Sequence, residues 1–122
     1  MYIVGVSGGP DSMFLLDNLR IAEYKLIVAH VNYKKRIDSD YDESIVKNYC
    51  QYYSLPCEVK KVYKNEYSFK VNFQAQARQI RYDFFQKLAQ NYQTKNIVIA
   101  HHFQDHLETY LFQKQRNSLV DY

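Results

Sequence analysis

Apolar residues fall into two kinds of run along this chain. Tyr2 to Val6 and Leu26 to Ala29 are apolar at consecutive positions, as strands covered on both faces of a parallel sheet are, and Lys95 to Ala100 repeats that pattern. Elsewhere apolar residues return at steps of three and four. Met13, Leu15, Leu16 and Leu19 predict a helix over 12–20. Ile45, Val46, Tyr49, Cys50 and Tyr53 predict another over 38–53, capped by Ser39 or Asp40 and ended before Pro56. Phe73, Ala77, Ile80, Phe84 and Leu88 predict the longest, over 72–92, with that stripe packed on a sheet. The second strand takes in 25–33. Cys57 to Tyr63 predicts a third strand, polar enough to be an edge. Residues 63–71 follow no period and predict a surface loop, and Leu111 to Arg116 predicts a last helix.

Strand, helix and strand in repeated order make this an α/β chain: an open, mostly parallel four-stranded sheet with helices on both faces and right-handed crossovers. In such sheets ligands bind at the edge formed by the C-terminal ends of the strands.

Composition narrows the picture only a little. A chain of 122 residues makes one domain. Sixteen basic against thirteen acidic residues leave a net charge of +3, which permits a nucleic-acid partner without requiring one. Cys50 and Cys57, with six residues between them, fit neither a Cys-x-x-Cys redox pair nor a zinc knuckle and are expected to be reduced thiols. No repeat or low-complexity stretch points to a solenoid or a disordered tail. With no apolar span long enough to cross a membrane, and no charged leader or cleavage site after Met1, the expectation is a cytoplasmic chain without a membrane partner.

Chemistry concentrates between the first strand and the first helix, in Ser7-Gly8-Gly9-Pro10-Asp11-Ser12. Adjacent glycines let an anion approach the main chain, and Pro10 suits the first turn of a helix whose unpaired amides and positive dipole end favour phosphate. Ser7 and Ser12 add hydroxyls. Asp11 beside phosphates calls for a hard cation such as Mg²⁺ between them. No Gly-Lys-Ser/Thr follows, and no third glycine completes a dinucleotide fingerprint, so the two commonest nucleotide loops fit poorly.

Other candidates lie at the same sheet edge. Lys34, Lys35 and Arg36 follow the second strand and either face phosphate or form a solvated loop. Gln74, Arg78, Arg81 and Phe85 make a second stripe on the long helix, its two guanidiniums suited to phosphate oxygens, although Tyr82 and Asp83 offer Arg78 ordinary surface partners. Asp105 and Glu108, three apart, are expected on one face of an opening helical turn, facing Mg²⁺ or an ammonium group. Three histidines within six positions do not make a zinc site, since His101 and His102 are adjacent and His-Glu-x-x-His is absent.

The loop resembles the Ser-Gly-Gly-x-Asp-Ser pyrophosphate loop of the N-type ATP pyrophosphatases, the PP-loop family, which splits ATP between its α and β phosphates and transfers the adenylyl group. Adding His30-Val31-Asn32-Tyr33, Ala77-Arg78-Gln79-Ile80-Arg81-Tyr82 and the run from Ala100 to Thr109, the chain resembles the tRNA(Ile)-lysidine synthetases of that family along nearly its whole length. The resemblance implies an adenine nucleotide alpha hydrolase-like, Rossmann-like fold, with ATP and Mg²⁺ as cofactors and L-lysine and tRNA(Ile) with a CAU anticodon as substrates. It further implies that the oxygen of the wobble cytidine attacks the α-phosphate, pyrophosphate leaves, and the lysine amine displaces AMP at carbon 2. By the same analogy, Ser7 to Ser12 hold pyrophosphate, Asp11 holds Mg²⁺ with Asp105 as a second contact, Arg78 and Arg81 meet phosphate or the adenylated base, and Glu108 or Asp105 holds the lysine ammonium.

The chain departs from the family pattern at two charges. Gln104 stands where the family usually has the first of two aspartates, and Gln74 where it usually has a glutamate. Asn117-Ser118-Leu119 replaces Gly-Ser-Gly, and further strands and the tRNA grip are expected beyond Tyr122, making residues 1–122 an incomplete ATP-binding domain. The loop is shared with tRNA thiolases and amide-forming synthetases. The two glutamines also suit a nucleotide-binding module that has lost catalysis.

Overall fold

A computed structural model describes residues 1–34, 37–63, 72–103, 106–115 and 118–120, and for 37 and 100–120 the backbone alone. Four strands run parallel: β1 (Tyr2–Gly5), β2 (Leu26–Asn32), β3 (Cys57–Lys61) and β4 (Asn96–Phe103). Their order is β3-β2-β1-β4, so the chain winds outward from β1 to β3 and then returns to the other side of β1. The reversal leaves a crevice between the C-terminal ends of β1 and β4, the usual ligand position in an open α/β sheet. As its polar pattern predicts, β3 is a terminal strand.

The helices are α1 (Pro10–Ile21), α2 (Ile37–Tyr52) and α3 (Phe73–Asn91). Side chains alternate across each strand, and each face has its own core. Val4, Val6, Leu26 and Val28 pack with Leu16 of α1 and with Val46 and Cys50 of α2. Ile3, Ile27, Ala29, Val31, Ile97 and Ile99 point the other way and pack with Phe85, Leu88 and Ala89 of α3. Each fully buried aliphatic side chain contributes about 1.5–3 kcal/mol to holding these layers together. Asn72 caps α3, its side chain accepting the Ala75 amide at 3.3 Å. Helix α2 begins at Ile37, which puts Ser39 and Asp40 inside its first turn. Among the described residues no helix is long and apolar enough to cross a membrane.

Two expectations are corrected. The stripe of α3 that meets the sheet is rotated, because Phe85, expected on the outer stripe with Arg78 and Arg81, is buried with Ala77, Leu88 and Ala89. Phe73, Ile80 and Phe84 are only partly buried along its flank. The cause lies in β1, where Gly5 has no side chain and the Phe85 ring takes that space.

The second correction concerns the chain after β4. It forms β5 (His106–Gln115), antiparallel to β4, and β6 (Ser118–Val120), antiparallel to β5, extending the sheet to six strands. Leu111 to Gln115 are therefore strand where a helix was expected, and Glu108 lies opposite His101 in the ladder rather than on a helical turn. Asp105 and Glu108, three apart, would share one face of a helical turn. Thr109, Tyr110 and Phe112 suit a pleated surface better, and a strand here pairs the backbone groups along the edge of β4. Asp105 and Gln104 lie outside the described residues, as do Lys35, Arg36 and Arg116.

Candidate functional site

Val6 carries β1 one residue past its last ladder pair, its amide bonded to the Ala29 carbonyl at 2.9 Å. The chain then turns through Ser7, Gly8 and Gly9 into α1. Gly8 has φ +89°, and a Cβ on it would stand 2.7 Å from the Asp42 carbonyl oxygen of α2, so only glycine fits. Gly9 is the N-cap of α1 in an ordinary extended conformation, with φ −75° and ψ 166°. Among the described residues a Cβ there would meet only the Ser7 hydroxyl, at 3.4 Å, so these residues leave the outer side of the loop open. Pro10 occupies the first helical position, where its missing N–H costs no hydrogen bond.

The serines hold the loop itself. Ser12 is buried, 3 % exposed, and donates to the Gly9 carbonyl at 3.1 Å. Its only proton is thereby engaged, so the Ser7 hydroxyl donates to Ser12 Oγ at 3.1 Å, and Ser12 Oγ also accepts the Ser7 amide at 3.2 Å. The Gly9 amide closes the ring by donating to Ser7 Oγ at 3.2 Å. Two amides that the motif suggests for an anion are therefore engaged by hydroxyls. The intrahelical ladder begins only at Met13, whose amide bonds to the Gly9 carbonyl at 3.0 Å. The first-turn amides ahead of it, with the helix dipole, form the anion-attracting end. Asp11 stands in this first turn, half-buried at the mouth of the loop.

Beneath the loop lies a polar layer whose strand residues, His30 and Asn32, belong to a motif of the resemblance but were given no role by the sequence. His30 and Asn32, two apart on β2 and facing α2, are 3 % and 1 % exposed. The ring of His30 meets the Val6 carbonyl through Nδ1 at 2.8 Å, and because a carbonyl only accepts, Nδ1 carries the proton. Burial depresses the basicity of this ring against the opposing pull of Val6, Glu43 and Asp42. Asn32 donates to Asp40 Oδ1 at 2.8 Å and Glu43 Oε1 at 3.1 Å and accepts the Lys34 amide at 2.8 Å. It thereby fixes the first half of α2, whose Asp42 abuts Gly8. Burial would raise the Glu43 pKa, but hydrogen bonds from Lys47 and Asn32 and the charge of Lys61 hold it below the ordinary carboxylate range. Polar residues at alternate positions in an otherwise apolar strand were the available signal for this layer.

The two arginines of α3 are held differently. Arg81 Nη1 donates to the Tyr33 hydroxyl at 3.3 Å, and that hydroxyl donates to the Ala77 carbonyl at 2.9 Å, which ties Arg81 to the C-terminal end of β2. Arg78 is exposed and bonds through Nε to the Tyr82 hydroxyl at 3.0 Å on its own helix. Lys34 pairs with Asp40 at 2.7 Å rather than reaching across the crevice. Cys50 and Cys57 are free thiols.

A strand-borne loop of this sequence, at the topological switch point and opening a helix, is the feature that defines a family. Residues 1–121 match the PP-loop domain. The chain belongs to the PP-loop domain family. Among its relatives, this PP-loop domain is 47 % identical over 123 residues to a tRNA(Ile)-lysidine synthase of Mycoplasma mycoides subsp. mycoides, covering 99 % of this chain and 31 % of that protein. It is 44 % identical to proteins of the same name from Mesoplasma florum, covering 98 % and 30 %, and Ureaplasma parvum, covering 96 % and 35 %. The chain thus spans about a third of the length of the curated relatives it matches.

Proposed function

We propose that residues 1–122 are part of the ATP-handling domain of a cytoplasmic tRNA(Ile)-lysidine synthase, joining L-lysine to carbon 2 of the wobble cytidine in the tRNA(Ile) that carries a CAU anticodon. The observation that carries this reading is the Ser7–Ser12 loop, open above Gly9 and set at the end of β1 against the N-terminus of α1. Strong similarity to three proteins bearing that name supports the choice of substrates.

In this reading the loop and the first-turn amides of α1 hold the β and γ phosphates of ATP. As the cytidine oxygen attacks the α-phosphate, charge gathers on the departing pyrophosphate, and donors already oriented there stabilise it without reorganising. Arg81, braced by Tyr33, and Arg78, at the exposed face of α3, balance the remaining phosphate charge. The lysine amine then displaces AMP at carbon 2, its ammonium end held by Glu108 or Asp105.

Magnesium fits the residues present in a limited way. Among the described residues no three metal-binding side chains cluster; the carboxylate of Asp11, in the first turn of α1, would hold the ion, with Asp105 as a second ligand. Few protein ligands suit Mg²⁺, which keeps waters and phosphate oxygens in its shell. When bound, it neutralises phosphate charge in the attack.

Pyrophosphate release from ATP by the full-length protein tests the reading. Sustained release over many turnovers is expected only with both L-lysine and tRNA(Ile), tRNA(Ile) alone giving at most one equivalent, and is lost on chelation of Mg²⁺. Many-turnover release that ignores lysine, or that requires a sulfur donor, overturns it.

A further inference from the structure

We infer that His30 is the positioning residue of the phosphate loop: its Nδ1–H holds the Val6 carbonyl and so sets the angle at which the loop leaves β1. This rests on the reading that the loop binds ATP.

Val6 is the last residue before the loop, and its two backbone groups are held by different partners. Its amide continues the β1–β2 ladder to Ala29, but its carbonyl takes a side chain, the His30 ring, at 2.8 Å. The direction of the Val6 carbonyl fixes the peptide plane into Ser7, and with it the direction of the Ser7 amide from which the loop starts. The same face of β2 also controls the other side of the loop. Asn32 locks the start of α2, and the Asp42 backbone of α2 closes against Gly8. The loop is thus seated from below at Val6 and from the side at Gly8.

The other ring nitrogen argues that histidine is there for more than packing. Nε2 of His30 is buried and has no hydrogen-bond partner among the described residues. A leucine would fill comparable space without leaving a lone pair out of water, so the imidazole weakens the core that it helps to fill. Against that cost stands the bond its Nδ1 makes, which is to the residue that launches the loop.

Two variants of the full-length protein separate positioning from packing. In His30→Asn the amide nitrogen stands close to where Nδ1 stands and can still donate to Val6, whereas His30→Leu keeps apolar bulk without a donor. Measured against ATP, His30→Leu is expected to raise the Kd and KM at least tenfold while leaving the KM for lysine unchanged. His30→Asn should stay within threefold of the parent, and thermal melting should show both variants folded. Hydrogen exchange without nucleotide provides a readout independent of ATP. His30→Leu should exchange the Ser7 and Gly9 amides at least tenfold faster, while the amides of Ile27 and Val28 stay protected. Unchanged loop exchange in His30→Leu, or equal loss of ATP affinity in the two variants, overturns the assignment. If the parent protein itself does not bind ATP, the functional reading fails, and the exchange result alone decides the role of His30.

Discussion

The ring of Phe85 occupies the place a side chain on Gly5 would take: a Cβ built on Gly5 stands 2.6 Å from Phe85 Cζ and 2.9 Å from Cε2. This contact sets the rotation of α3 on the sheet and hence the direction of its arginines. Gly5→Ala is expected to destabilise the domain by about 1–3 kcal/mol through overpacking. Phe85→Leu should recover part of that loss in the double variant, giving a coupling energy in urea denaturation that two independent sites would not show.

The paired glycines of the loop differ in kind, and substitution should separate them. Gly8→Ala meets both a positive φ and the Asp42 backbone, so a loss of about 2 kcal/mol or more is expected along with nucleotide binding. Gly9→Ala has an ordinary φ and open space among the described residues, so its stability should stay within about 1 kcal/mol of the parent. Its new methyl would nevertheless stand where phosphate is proposed to lie. ATP affinity measured by calorimetry should fall at least tenfold in a protein that melts normally.

Acidification should act through His30 with a definite sign. Its folded pKa lies below the ordinary 6.5, chiefly because burial disfavours the charged ring, with Lys47 adding to this and Val6, Glu43 and Asp42 opposing it. The unfolded chain therefore binds the proton more readily. The associated stability is fully present above about pH 6.5 and is lost as pH falls toward the folded value. Urea midpoints between pH 7.5 and 5.5 should fall less steeply for His30→Asn than for the parent, although carboxylates such as Glu43 contribute in the same direction to both.

Arg78 and Arg81 should separate structure from chemistry. Arg78→Ala removes an exposed side chain bonded within its own helix and should change stability by no more than about 0.5 kcal/mol. Arg81→Ala also strips a donor from Tyr33 and should cost about 0.5–1.5 kcal/mol. If both guanidiniums meet phosphate or the adenylated base, kcat/KM for lysidine formation should fall at least tenfold in each, well beyond what either stability change explains.

The sequence determined the α/β alternation, the four parallel strands, the edge position of β3 and the loop between β1 and α1, because these depend on local periodicity and on neighbours within a few residues. It could not determine which stripe of α3 faces the sheet. Phe84 and Phe85 are adjacent and equally apolar, and only the empty space at Gly5, some 80 residues away, chooses between them. Nor could it show that His30 and Asn32 lie beneath the loop, since that follows from β2 being the parallel neighbour of β1 with α2 across its face. The segment after β4 departs from its sequence expectation for a similar reason: whether its backbone bonds to itself or to a neighbouring edge depends on the presence of that edge, which only the assembled sheet supplies.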